Sequence, residues 1–132
     1  MYRANFVNRY NIGKASEDAV LPKIIKYFAR DIIATTDKFD KFDFKCPEYN
    51  YELKTRTNCL KQYSTTMIGS NKLTTNSVLL FKFTDCLAYI NYDADRFAKY
   101  EKRLFTKYDT EPIEHTYIDI KDLIIIEYKS NL

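Results

Sequence analysis

The chain has 132 residues, 45% of them hydrophobic and 30% charged, which fits one globular domain and excludes a collagen-like or low-complexity polymer. Two Gly and three Pro leave no linker-like stretch. The longest apolar runs, Val78–Phe81 and Leu123–Ile126, are far short of a membrane span, and nothing behind Met1 reads as a signal segment. The expectation is an intracellular, cytoplasmic chain with no membrane partner.

Three cysteines, Cys46, Cys59 and Cys86, lack CxxC spacing and argue against both a disulfide framework and a zinc site. They read as small buried or half-buried thiols. A single histidine, His115, supports neither a nucleophile–His–acid system nor a His-based metal cluster. No GxxxxGK[ST] or GxGxxG loop is present to cradle phosphate. Hydrolytic chemistry would therefore rest on carboxylates, lysines and a metal held by oxygen.

Charge is unevenly spread. From Leu53 to Thr84 there are five basic residues (Lys54, Arg56, Lys61, Lys72, Lys82) and no Asp or Glu, against 16 basic and 18 acidic residues in the rest of the chain. Thr, Ser, Asn and Gln fill the positions between, and these donate hydrogen bonds to phosphates without adding charge. The segment reads either as a polyanion-binding face or as a solvated basic one.

In chain order, Ser16 is placed to cap a helix running to about Arg30, with Glu17 and Asp18 in its first turn and Pro22 as a possible bend. At 100° per residue, Val20, Leu21, Ile24 and Phe28 form one apolar arc and Glu17 falls at its middle. Asp31–Thr36 is strand-like. Phe42–Cys46 and Tyr51–Thr57 alternate in polarity and read as a hairpin joined by Pro47–Asn50. A four-residue connection would pair Cys46 with Tyr51 and Asp43 with Lys54, gathering Asp43, Glu52 and Lys54 on one face. Asn58–Lys72 reads as a polar loop or short helix. Ser77–Phe83 and Cys86–Tyr92 read as strands, Ala94–Phe105 as a second helix capped by Asp93 or Asp95, and Asp109–Glu114 as a loop. His115–Ile118 and Leu123–Tyr128 are short strand-like pieces. The expected fold is one α/β domain over residues 1–132, with a central mixed sheet flanked by helices.

Asp43, then Glu52-Leu53-Lys54, preceded by Gly13 and Glu17 in an xGxxxE pattern, resembles the active site of the PD-(D/E)XK nuclease superfamily, and its small Holliday-junction-resolvase-like members most of all. The likeness covers about residues 13–57. Phe42 stands where the motif commonly has Pro. The resemblance implies a restriction-endonuclease-like core and divalent-metal-dependent endonuclease activity on DNA rather than RNA. It further implies Asp43, Glu52 and the Leu53 carbonyl as ligands of Mg2+ or Mn2+, Lys54 as the catalytic lysine and Glu17 as an accessory acid. A homodimer would suit cutting of two strands.

The residue types suit that chemistry independently of the name. Two carboxylates and a carbonyl form a hard oxygen site for magnesium or manganese. Such a metal neutralises charge on a phosphate and lowers the pKa of its water, while a nearby lysine stabilises the crowded phosphorus. Period-2 spacing lets Glu52 and Lys54 reach one group. Arg56, Lys61 and Lys72 are the candidate nucleic-acid contacts, with a salt bridge equally open to Arg56 and a solvated position to Lys72. Asp40 is the alternative ligand if the hairpin register differs. The competing reading is a non-catalytic nucleic-acid-binding or protein-interaction module that uses the basic segment.

Overall fold

The spacing of buried side chains in the first element decides which way the molecule packs. In the computed structural model, which describes residues 2–36, 40–106 and 111–129, helix α1 spans Tyr2–Phe28. Ser16, Val20 and Ile24 are buried at four-residue intervals, and Leu21 and Phe28 pack beside them. The helix thus begins well before Ser16, which lies in its interior instead of capping it. Glu17 borders the buried stripe, half-buried, and does not sit at its centre. Pro22 lies in the helix interior at an exposed position, where it cannot donate to the Asp18 carbonyl. The helix ends as Ala29 turns left-handed (φ 53°), its N–H still bonded to the Ile25 carbonyl at 3.0 Å.

Six strands form the main sheet: β1 (Ile33–Ala34), β2 (Phe44–Lys45), β3 (Asn50–Thr55), β5 (Ser77–Lys82), β6 (Cys86–Asn91) and β9 (Ile124–Tyr128), adjacent in that order. Every pairing is antiparallel except β3 with β5. A parallel pair needs a crossover. Here the crossover is made by β4 (Thr65–Gly69), which joins β8 (Ile113–Asp119) and β7 (Glu101–Phe105) in a separate three-stranded antiparallel sheet ordered β4-β8-β7.

The main sheet is covered on both faces. Val20 and Ile24 of α1 pack with Tyr51, Leu53, Val78 and Leu80 on one side. Ile68 of β4 and Ile118 of β8 pack with Leu79, Phe81, Ala88 and Ile90 on the other. Strands β5 and β6 are therefore apolar at nearly every position, as doubly covered strands must be. Among the described residues no helix is long and apolar enough to cross a membrane.

The α/β class and the mixed sheet agree with the sequence reading, but several elements differ. The second face carries a sheet where helices were expected. Helix α2 is only Ala94–Phe97, with Asp93 capping it through the N–H groups of Asp95 and Arg96, and the rest of the expected helix is strand β7. The expected loop over residues 58–72 contains β4, flanked by 3-10 turns at Leu60–Gln62 and Ser70–Lys72. Part of the expected 109–114 loop, residues 109–110, lies outside the described residues.

The hairpin register is the consequential correction. Phe44 pairs with Tyr51 and Lys45 with Asn50, two residues from the expected pairing. Cys46 and Tyr49 exchange backbone hydrogen bonds at 2.9 and 3.3 Å, so the connection is the two residues Pro47-Glu48 and not four. A two-residue shift leaves the side chains within β2 and β3 on their original faces, while Asp43 lies beyond the end of β2.

Candidate active site

Strand β2 stops short, and its end makes an opening beside β3. The Asp43 N–H donates to the Tyr51 carbonyl at 3.0 Å, one residue out of step with the Phe44–Tyr51 register, so the regular ladder ends there. The next donor on that edge, the Leu53 N–H, finds no backbone carbonyl and donates instead to Asp43 Oδ2 at 2.9 Å. N–H and C=O of one strand residue point the same way, so the Leu53 carbonyl faces this same opening. Thr35 secures the approach: its hydroxyl donates to the carbonyls of Phe42 (2.7 Å) and Asp43 (3.1 Å), and its N–H donates to Asp43.

Alternation along β3 sends Tyr51 and Leu53 toward α1 and Glu52 and Lys54 toward the second sheet. Glu52 is 5% exposed. Lys54 Nζ lies 3.5 Å from its Oε1 and Lys72 Nζ lies 3.4 Å from its Oε2. The latter contact is long for a charge-assisted hydrogen bond, and Oε2 is buried without a hydrogen-bond partner. Burial, and then the charge of Asp43, push the Glu52 pKa above the ordinary carboxylate range, while the two lysines pull it back only in part.

Glu17 reaches the opening from α1. Burial raises its pKa to about 7, helped by the charge of Asp43 and a hydrogen bond between the two carboxyls. A Glu17 that keeps its proton near neutral pH can donate it to Asp43. Glu17, Asp43 and Glu52 thus form an interacting row from the helix to the far face of the sheet, with Asp43 in the middle.

The structure brings Glu17, Asp43, Glu52, Leu53, Lys54 and Lys72 together. Lys72 was singled out for phosphate contact, yet it faces Glu52, donates to the Lys41 carbonyl and lies over the Phe42 ring at 5.6 Å. Arg56 sits just past β3, half-buried, with Nε bonded to Thr66 Oγ1 at 3.2 Å and Nη2 to the Met67 carbonyl. Burial lowers its pKa from the usual arginine value. Lys61 is exposed in the turn after β3, apart from this group, and Asp40 is exposed. His115 lies in β8, its ring edge-on to Phe105 at 5.5 Å. Sequence reasoning missed the Lys72–Glu52 pair and the role of Thr35. The first joins residues on opposite sides of the crossover, for which no local pattern gives a signal.

Among the described residues no three His, Cys, Asp or Glu side chains stand close enough to hold a metal unaided. The donor set nonetheless fits magnesium, which binds through one or two carboxylates and keeps several waters. Asp43, the Leu53 carbonyl and the unpartnered Glu52 Oε2 would supply its protein ligands. The chain matches no protein-family model, no curated protein and no solved structure.

Proposed function

We propose that the chain is a divalent-metal-dependent nuclease that hydrolyses phosphodiester bonds, in DNA by its resemblance to the PD-(D/E)XK superfamily. The observation that carries the reading is the buried Glu52 carboxylate with an unpartnered oxygen, beside Asp43 and flanked by two lysines. Burial and the Asp43 charge outweigh both ion pairs in setting its pKa, so the carboxylate is held against its own desolvation, a state that clusters at functional sites.

Asp43, Glu52 and the Leu53 carbonyl would hold Mg2+ or Mn2+, which when bound supplies an activated water and charge neutralisation at the phosphate. Lys54, 38% exposed at its side chain, faces solvent more than Lys72 does and would meet a phosphate oxygen. Lys72, at 21%, holds Glu52 from the covered side. Glu17, its pKa raised to about 7 by burial and the neighbouring Asp43 charge, would hold a proton near neutral pH and steady the Asp43 carboxylate.

A second reading, a nucleic-acid-binding module without catalysis, is favoured by the lysines themselves, since both already stand beside Glu52 with no metal between them. Incubation of the pure chain with DNA and RNA in Mg2+, Mn2+ or chelator separates the two. A nuclease cuts with metal and stops in chelator, whereas a binding module retains nucleic acid uncut in both.

A further inference from the structure

Beside Lys54 lies a cavity of about 270 Å³ whose walls divide by chemistry. Lys54, Arg56 and His115 supply its polar side, and Met67, Phe105 and Ile113 its apolar side. No carboxylate is among the described lining residues. The volume falls just below the range for drug-sized ligands and suits a single planar ring system. Phe105 and Ile113 are cross-strand partners in the β7–β8 pair and remain 41% and 47% exposed, so an apolar pair is open at the mouth of the cavity.

Arg56 supplies the second half of the argument. Among the described residues no carboxylate pairs with it, and only Nε and one Nη2 hydrogen are committed, out of the five N–H groups of a guanidinium. It also lines a second, larger cavity of about 640 Å³, where Lys23 is paired with Glu127 and Lys82 and Lys129 add positive charge. A half-buried guanidinium with free donors, shared by two cavities and adjoining Lys54, is suited to a phosphate that bridges them.

We propose that the cavity beside Lys54 receives the base of an unpaired nucleotide, stacked on Phe105, while Arg56 holds the phosphate attached to it. A base inside a duplex is hidden by its neighbours and cannot enter such a cavity, so the favoured ligand is single-stranded or carries an extrahelical nucleotide. The choice of a nucleic-acid ligand rests on the nuclease reading of the adjoining carboxylates.

The test uses the full chain in EDTA, so that binding is read without cleavage. A 20-residue oligodeoxynucleotide containing one 2-aminopurine is titrated as a single strand and as its duplex, with wild type, Phe105→Ala and Phe105→Tyr. The expected result is single-strand binding at least tenfold tighter than duplex binding. Phe105→Ala weakens the single strand by about tenfold, as loss of one stacking platform does, and leaves the duplex unchanged, and Phe105→Tyr restores the wild-type value. Equal affinity for both forms overturns the proposal, as does an equal loss on both in Phe105→Ala. Sedimentation showing a dimer that Phe105→Ala dissociates also overturns it, because a second copy would then cover the cavity. Metal-dependent cutting without single-strand preference sinks the cavity assignment alone. Single-strand preference without any cutting sinks the nuclease reading alone.

Discussion

Replacing Glu52 by glutamine should stabilise the fold while removing metal binding. The carboxylate is 5% exposed, and its pKa is raised despite lysine nitrogens at 3.5 and 3.4 Å, so burial and the Asp43 charge outweigh both ion pairs. Glutamine keeps the shape and removes the buried charge. The freed lysines are 38% and 21% exposed at their side chains and can turn to water. Replacing buried ionic groups by neutral ones of similar volume stabilises by roughly 1–4 kcal/mol, and the loss of two partly solvated ion pairs places this case near 1 kcal/mol. For a chain of this length that is a rise in Tm of roughly 3–5 °C, measured in chelator. Manganese should then raise the Tm of wild type and not that of the variant. Lys72→Met, which leaves the carboxylate with one counter-ion, should lower stability by about 1–2 kcal/mol. A Glu52→Gln protein that melts well below wild type in chelator would refute this reasoning, because the carboxylate would then be a net source of stability.

Lys54→Ala should reduce cleavage by roughly a hundredfold or more while manganese binding by calorimetry persists, because Lys54 acts on the phosphate and not on the metal. Asp43→Asn should weaken manganese binding by roughly tenfold or more, and Asp40→Asn, at an exposed position, should leave it unchanged in the same titration. Glu17 holds its proton to about 7 when folded against 4.5 ordinarily, so the folded state binds more protons between those values and its stability falls as pH rises through them. Glu17→Gln should therefore match wild type in thermal melts at pH 4 and exceed it at pH 8, whereas a constant offset would contradict the shift. Ile24→Ala, at a fully buried position between α1 and the sheet, should cost about 2–5 kcal/mol in denaturant unfolding.

Strands β5 and β6 were legible because both faces are covered, which writes continuous apolar runs into the sequence. The shared face of Glu52 and Lys54 was legible for a different reason: period-2 alternation along β3 does not depend on the register of its partner strand. Asp43 was not legible in this way, because it lies beyond the end of β2 and its carboxylate turns to the Leu53 N–H at the sheet edge. Strand β7 was not legible. Glu101, Lys102, Arg103 and Leu104 are good helix formers, and Phe97, Tyr100 and Leu104 keep helical spacing, yet pairing with β8 overrides that local preference. Strand β4 was hidden in a polar segment because only Thr66 and Ile68 turn inward. Lys72 reaches Glu52 only because the crossover between β3 and β5 passes through the second sheet, a fact of topology that neither residue's neighbours encode.

The central claim is tested most directly by incubating the pure chain with single-stranded and duplex DNA and RNA in Mn2+, beside Lys54→Ala and a chelator control. Cleavage by wild type that is lost both in chelator and in Lys54→Ala is the predicted result. Intact nucleic acid of every form with wild type in Mn2+, or equal cutting by Lys54→Ala, would contradict it.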